Sequence, residues 1–559
     1  MILASFPPIW MVPLINWVLT NPAWSVGILM APAALAGFAG VRPRTRAVYR
    51  WALALISVAG ILVYARLAAI YCWAPQFWDH VEPQIASVSC LLMRGQSVYQ
   101  SPAAADQYSM VYGPFSYIWV AGYYAFLGPS IFAAKLSGFV SGLAGAALLL
   151  AALKRSGNWW IALPCTALAT TVYYKCELES IWCRPDSHEV FLVSLSVLAL
   201  TLTNPWIAAV LVGISAGVCV NLKITAAAYF VPIATAFVLR YRRPGAAALG
   251  AALAAVALGA PFLFAEFPLA DYLAWLRQAS HHHVSAVEVG NVFDFAGWMA
   301  GILLILAVPS IWSKRHADPR ATRQWCWTAG ALGAAIILSL PVAIKKGAGT
   351  HHLMPLVPVL VWLVARAWSI PNSSGPSEAT PRLGMRHWLA APVVVVAMIY
   401  SPFASDVLAR RIWISEPWYR NVNSDLAAIE KLLPGRTIEM GVGSDQTYWI
   451  TYARPVLVFA GNPYHLDPAA AMDSSEDQNG LPAATSDLCR EGLSDYVLIP
   501  AYDVPFSLKN WYREGSRVFS PQFVRAFHEN YRLQFRAKFF DGYARKAIFS
   551  AHAPVATRR

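Results

Sequence analysis

Phe77-Trp78-Asp79-His80-Val81-Glu82 is the stretch on which the reading of this chain turns. It follows directly on residues 51–71, an apolar run long enough to cross a bilayer, and it places two acids where that run ends. A carboxylate at a membrane boundary is costly unless a polar cavity receives it, so the pair marks the lip of one. The polar segment continues through Leu91-Leu92-Met93-Arg94-Gly95-Gln96-Ser97-Val98-Tyr99 to Val111-Tyr112-Gly113-Pro114-Phe115-Ser116-Tyr117. Glu82-Pro83 opens a predicted short helix with Ile85, Val88 and Leu92 on one face, expected to lie on the membrane surface. Residues 113–128 carry Tyr117, Trp119, Tyr123, Tyr124 and Phe126, the residue types of an interfacial belt, and read as a second surface or re-entrant helix.

Working outward, the whole chain has the composition of a polytopic α-helical membrane protein. Of 559 residues 57% are hydrophobic and only 13% charged, about half the charge fraction of a soluble chain. Apolar stretches recur near 23–41, 51–71, 130–153, 159–174, 189–203, 206–222, 224–240, 246–264, 293–312, 326–344, 353–370 and 388–404, predicting about 12–13 transmembrane helices. Residues 6–20, broken by Pro7, Pro8 and Pro13 and lacking a basic leader, read as a short span or interfacial helix and not as a cleavable signal.

The net charge of +13 does not point to nucleic acid, because no block interleaves bases with aromatics. The bases fall instead in alternate gaps: Arg42 to Arg50, Lys154 and Arg155, Arg240 to Arg243, Lys314 to Arg323, Arg382 and Arg386. By the positive-inside rule those gaps are cytoplasmic, and attraction to anionic lipid is a secondary effect. The opposite gaps, with the first outer loop 72–129 among them, hold everything that looks chemical and face outward.

Four outward constellations stand out. Asp79 with Glu82 supplies a carboxylate that can accept a hydroxyl proton, although Asp is also a favoured helix cap. Tyr173-Tyr174-Lys175-Cys176-Glu177-Leu178-Glu179 followed by Arg184-Pro185-Asp186-Ser187-His188-Glu189 is a dense charged patch. Arg184 suits a phosphate, and Glu177 and Asp186 suit sugar hydroxyls or a cation, against the alternative of a solvated loop whose charges pair among themselves. Lys223, in Asn221-Leu222-Lys223-Ile224-Thr225, lies between two apolar runs and is either a phosphate contact or a snorkelling residue; Gly213 and Gly217 before it permit close helix packing. Lys345-Lys346-Gly347-Ala348-Gly349-Thr350-His351-His352 joins cations to glycines that let backbone approach a phosphate.

The histidine run His281-His282-His283 lacks metal-ligand spacing, so no metal is expected, with a divalent cation left open and no other cofactor implied. Cys72, Cys90, Cys176, Cys183 and Cys489 fall on the oxidising side; Cys176 and Cys183 are close enough in sequence for a local disulfide, and no pairing is fixed.

The order of first-loop acid, short helix, Gly-x-x-x-Tyr and Tyr-Gly-Pro, then Arg-Pro-Asp, a glycine-rich span ending in Lys and Thr, and a basic glycine turn before a proline-bearing span, resembles the C-type (GT-C) glycosyltransferases, of the mannosyltransferase or aminoarabinose transferase type. The resemblance covers most of the first 404 residues with short, degenerate motifs, and two departures show: Asp-His-Val-Glu where the family has Asp-Glu or Asp-x-Glu, and histidines at 351 and 352 where Asn or Tyr is common. It implies a GT-C-like fold in the cell (inner) membrane and a polyprenyl-phosphate sugar as donor. It also implies inverting transfer of a hexose or pentose to a glycan, lipid or protein acceptor on the extracytoplasmic face, in envelope glycan or glycolipid assembly or protein glycosylation. Under it Asp79 or Glu82 is the base; Lys223, Arg184, Lys345, Lys346, His351 and His352 bind the donor phosphate; and Asp186, Glu177 and Tyr112 bind substrate. A transporter or flippase of a lipid-linked or small polar substrate is the rival reading, though no inverted repeat is visible; an envelope glycan polymerase or ligase is another, but would use a large late outer loop.

Two domains are expected: residues 1–404 as the transmembrane catalytic module, and residues 405–559 as a separate small extracytoplasmic α/β domain. In the latter, 422–433 reads as a helix, 436–443, 455–460 and 495–500 as strands, and 532–540 as a last strand.

Overall fold

A computed structural model of the chain describes residues 43–177, 179–316, 318–370, 385–477, 481–492, 494–513 and 515–549; the expected segments 6–20 and 23–41 lie outside these. The first half runs α1 (Pro43–Trp73), α2 (Val81–Met93), α3 (Pro114–Leu127), α4 (Ile131–Ser156), α5 (Trp159–Tyr173), α6 (Pro185–Ala199) and α7 (Pro205–Leu222). The second half of the bundle adds α8 (Phe230–Tyr241), α9 (Pro244–Gly259), α10 (Leu269–Ala279), α11 (Ala286–Ile302), α12 (Val308–Lys314), α13 (Pro319–Ala343), α14 (Val357–Ser369) and α15 (Met385–Leu432).

Among the described residues eight helical stretches are long and apolar enough to span a membrane. Thr350–Ser369 is central, with 89% of its apolar window buried, whereas Pro244–Leu263 is peripheral at 11%. The 15-residue helices α5 and α6 are about 22 Å long at 1.5 Å per residue, short of the hydrocarbon thickness. Both are buried along most of their length, so they cross the interior of the bundle and not its lipid-facing rim.

Small residues let these helices approach. A Cβ at Gly213 would meet the Gly250 carbonyl oxygen at 2.3 Å and one at Gly217 the Ala254 carbonyl oxygen at 2.3 Å, so α7 and α9 pack backbone to backbone. Gly138 of α4 sits in the same way against the Trp182 carbonyl, bringing the 179–184 loop down onto the bundle.

The first-loop helix α2 is covered by protein: Val81 to Leu91 are all buried, enclosed by α3 and by the C-terminal region, whose Val458 carbonyl accepts from Arg94. The C-terminal region packs on this loop, since Val458, Tyr464, Ala469 and Ala470 share a core with Phe77, Ile85 and Val88, and Asp467 N–H donates to the Gln107 carbonyl at 2.7 Å. The two regions are joined by one continuous helix through residue 405. Helix α15 continues for 48 residues, about 72 Å, and its polar half carries the one-turn ion pairs Asp406–Arg410 and Glu416–Arg420.

Beyond α15 lies a four-stranded sheet of order β1-β2-β4-β3, formed by β1 (Ile438–Met440), β2 (Tyr496–Pro500), β3 (Tyr531–Arg536) and β4 (Phe540–Arg545). β1 runs parallel to β2 and the other pairs are antiparallel. Alternation along β2 sends Tyr496 and Leu498 to Val422, Leu426 and Ile429 of α15, and Val497 and Ile499 to a cluster of Phe506, Phe523 and Phe527. The expected strand at 455–460 is instead a helical turn, Pro455–Phe459, because proline opens a helix readily and a run this short has no decisive period.

Gly113 is the tightest contact between the 72–129 segment and the bundle. A Cβ there would lie 1.5 Å from the Asn221 carbonyl oxygen, while the Gly113 N–H donates to the Leu222 carbonyl and the Phe115 N–H to Asn221 Oδ1. Gly113→Ala is therefore expected to cost about 1–3 kcal/mol or more by overpacking, read as a lowered melting temperature, whereas Gly122→Ala, with open space around it, should be near neutral.

Candidate functional site

Arg184 precedes Pro185 at the start of α6, in extended backbone, and this geometry turns its side chain out of the helix toward the first loop. Its Nη1 donates to Asp79 Oδ2 at 2.8 Å and to Glu179 Oε1 at 3.2 Å, and its Nε donates to Asp186 Oδ2 at 3.0 Å. Nη2 lies 3.4 Å from His351 Nε2. Asp186 receives a second cation, Lys223 Nζ, at 2.5 Å. Lys223 follows the end of α7 in extended backbone, held there by the Asn221–Gly113 junction, and its ammonium stands 5.6 Å from the Tyr112 ring centre. Tyr99, the tyrosine of Gly-x-x-x-Tyr, donates to the Tyr112 carbonyl at 2.6 Å and fixes that strand of loop.

Six of the residues expected from the sequence thus meet: Asp79, Arg184, Asp186, Lys223, His351 and, against Lys223, Tyr112. His352 adjoins them, its ring 4.6 Å from that of His351. Asp186 is wholly buried and Arg184 and Lys223 nearly so, while Asp79 and Glu179 keep 15% and 14% of their side chains accessible and form the solvent side of the cluster.

Glu82 has a different position. Its Oε2 accepts from the Trp78 and Asp79 N–H groups at 2.7 and 3.1 Å, and its Oε1 accepts from the Cys183 N–H at 3.0 Å and from the Tyr71 hydroxyl. Every lone-pair direction of this buried carboxylate is spoken for, so Glu82 knots the first loop to the residue before Arg184. Lys135, fully buried in α4, stands close by with its ammonium on the Ala74 and Gln76 carbonyls.

The acid that joins the cluster from the 174–184 loop is Glu179, not Glu177. Glu177 adopts the left-handed conformation at φ 46°, which reverses the chain and leaves its side chain exposed. Glu179 emerges on the inner side, where its Oε2 lies 3.3 Å from His351 Nδ1. Glu189, one helical turn beyond Asp186, is fully buried near Lys223 with neither oxygen hydrogen-bonded.

Lys345 and Lys346 lie aside from the cluster. Lys345 Nζ donates to the Ser280 carbonyl and the Lys346 N–H to the His283 carbonyl, in a turn that needs the positive φ of Gly347. Above it, the Lys509–Arg517 hairpin places Tyr512 on the His282 ring at 4.2 Å and Trp511 beside His80 at 6.2 Å. Among the described residues no group of three or more His, Cys, Asp or Glu side chains is arranged to hold a metal ion. Cys176 and Cys183 are separate buried thiols, as are Cys72, Cys90 and Cys489.

The cluster sets the protonation of its loop acids. Burial would raise Asp79, but His80 and the Arg184 guanidinium outweigh it and hold the carboxyl well below the usual range. For Glu179 burial wins over Arg184, and the carboxyl is pushed up to about 8. Burial likewise raises Glu82 despite Lys135 and three backbone N–H groups. The cluster therefore favours the ionised form of Asp79 and the protonated form of Glu179.

No protein-family profile and no curated protein sequence matches the chain. Solved structures do. The crystal structure of ArnT from Cupriavidus metallidurans bound to undecaprenyl phosphate aligns with a TM-score of 0.54 at 14% identity, over 88% of this chain and 97% of that one. The same protein in the apo state aligns at 0.53 and 16% identity, over 91% and 100%. The Archaeoglobus fulgidus oligosaccharyltransferase in the apo form gives a TM-score of 0.42 at 12% identity, over 80% and 69%. This chain is a multi-pass α-helical membrane protein with a GT-C-like, ArnT-like fold, as expected from its first outer loop.

Two tests follow. Glu82→Ala orphans buried donors at about 1–3 kcal/mol each and should lower the melting temperature sharply, with Glu82→Gln recovering part of the loss. For Glu179, a folded pKa above the unfolded one means stability that is complete below about pH 4.5 and falls as pH rises toward 8; Glu179→Gln should flatten this window, so that its melting temperature gains on the wild type as pH rises.

Proposed function

We propose that this protein is an inverting glycosyltransferase that moves a hexose or pentose from a polyprenyl-phosphate donor to an acceptor on the extracytoplasmic side of the cell membrane. The observation that carries the proposal is the meeting of Asp79, Arg184, Asp186, Lys223 and His351, from separate outer segments, at the ends of the spans of an ArnT-like bundle. That the ArnT crystal structure was obtained with undecaprenyl phosphate supports a polyprenyl phosphate as ligand of this fold.

The acceptor hydroxyl attacks the anomeric carbon and its proton passes to Asp79, which its cation neighbours keep ionised. The bond from the anomeric carbon to the phosphate oxygen breaks on the opposite face, and its electron pair stays with the phosphate. Lys223, Arg184 and His351 meet the charge that develops there, in a site already oriented before the substrate arrives. Asp186 holds both cations in place, His352 and Tyr112 flank the phosphate and sugar, and Lys345 and Lys346 favour the anion's approach from the adjoining turn. The acceptor is a glycan, a lipid or a protein.

The test is transfer from a panel of polyprenyl-phosphate hexoses and pentoses by the purified protein in nanodiscs. Asp79→Asn, at matched folding, should lower turnover about 10²- to 10⁴-fold. Undiminished turnover would remove Asp79 as the base; no turnover by wild type with any donor and acceptor extract would overturn the class.

A further inference from the structure

Glu189 takes no part in the transfer step, yet it lies beneath the groups that do. It follows Asp186 by three residues on α6, about 4.5 Å further into the bundle at 1.5 Å per residue. Its side chain is wholly enclosed, and neither carboxyl oxygen accepts a hydrogen bond. The charged and titratable groups that face it are Lys223, Asp186 and Arg184 from the cluster, Cys219 from α7 and Tyr229 from the turn after Lys223. Lys223 Nζ is engaged on Asp186 at 2.5 Å, while Glu189 stays unbonded beside it.

Glu82 shows what an enclosed carboxylate ordinarily requires. It is as buried as Glu189, but three backbone N–H groups and the Tyr71 hydroxyl donate to it. With no donor and no solvent access, Glu189 is costly as an anion and holds its charge only through the cations nearby. The balance between its two forms is therefore set by the cluster: Lys223 and Arg184 favour the anion, while enclosure and Asp186 favour the acid.

A phosphate changes that balance. Seated on Lys223, Arg184 and His351, it adds negative charge about one helical turn from Glu189 and engages the cations that made an anion there tolerable. Glu189 can answer without moving and without any space being opened, since a proton is all it needs.

We infer that Glu189 is a proton-linked counter-charge to the donor phosphate, taking up one proton from the buffer when a polyprenyl phosphate binds at Lys223 and Arg184 and returning it when that lipid leaves. Only an O–H bond is made and broken. The inference rests on the phosphate seat proposed above and adds to it a means of letting the spent carrier go: a Glu189 that gives up its proton repels the phosphate and competes with it for Lys223. By linkage, the affinity for polyprenyl phosphate is complete below the pKa of Glu189 in the free protein, and falls as pH rises from there to its higher value in the complex.

The experiment is calorimetric titration of the full chain in nanodiscs with farnesyl phosphate, a short polyprenyl phosphate, in buffers of different ionisation enthalpy, so that the protons taken up are counted directly. Wild type should take up more protons than Glu189→Gln, by up to about one, and its affinity should weaken with rising pH by as much as about tenfold per pH unit relative to that variant. The titrations of the phosphate itself and of Glu179 are common to both proteins and cancel in the comparison. Equal proton uptake and equal pH slopes would overturn the inference while leaving the phosphate site in place; no binding by wild type at any pH would remove the site itself, and the inference with it. Should Glu189→Gln not fold, infrared difference spectra of Glu179→Gln keep the test: a protonated carboxyl must appear on binding, and its absence would overturn the inference.

Discussion

One guanidinium ties this site together. Arg184 reaches Asp79 from the first loop, Glu179 from the second, Asp186 from its own helix and His351 from the late turn, and without it three acids would face one another in a nearly closed space. A buried charge is tolerable only when paired and hydrogen-bonded, and here the pairing is shared so that no carboxylate depends on a single partner. Lys223 completes it: two cations, Arg184 and Lys223, face Asp79 and Asp186, while burial disfavours a further charge on Glu179.

The surroundings explain why the cluster stays where it is. Glu82 closes the 78–82 turn onto Cys183 and so fixes the distance from Asp79 to Arg184. Gly113 lets the first loop lie on the backbone that delivers Lys223, and Gly138 lets the second loop settle on α4. The C-terminal region shares a core with the first loop through Val458, Tyr464, Ala469 and Ala470, and it brings Trp511 to His80 and Tyr512 to His282.

How much of this was legible in the sequence follows from where the physics is local. Asp79, Arg184, Asp186, Lys223 and His351 could be picked out because each is a charged or polar group at the end of an apolar run, where lipid makes such a residue expensive. That they converge on one arginine was not legible, since it depends on loops separated by more than a hundred residues. The choice of Glu177 over Glu179 failed on a single positive φ that turns one acid outward and the other inward. Glu82 looked like a second base because two acids three residues apart look alike until backbone N–H groups claim one of them. The helix through residue 405 was hidden because its apolar half stops there while its ion pairs carry it on, and the 455–460 run was too short for its period to speak.

The account rests on the cluster being the seat of a lipid-linked phosphate. A structure of the protein in nanodiscs saturated with a polyprenyl phosphate tests this most directly. The account predicts the phosphate among Lys223, Arg184 and His351, within hydrogen-bond reach of at least two of them. A phosphate seated on the Lys345–Lys346 turn, with the Arg184 pairings unchanged, would contradict it.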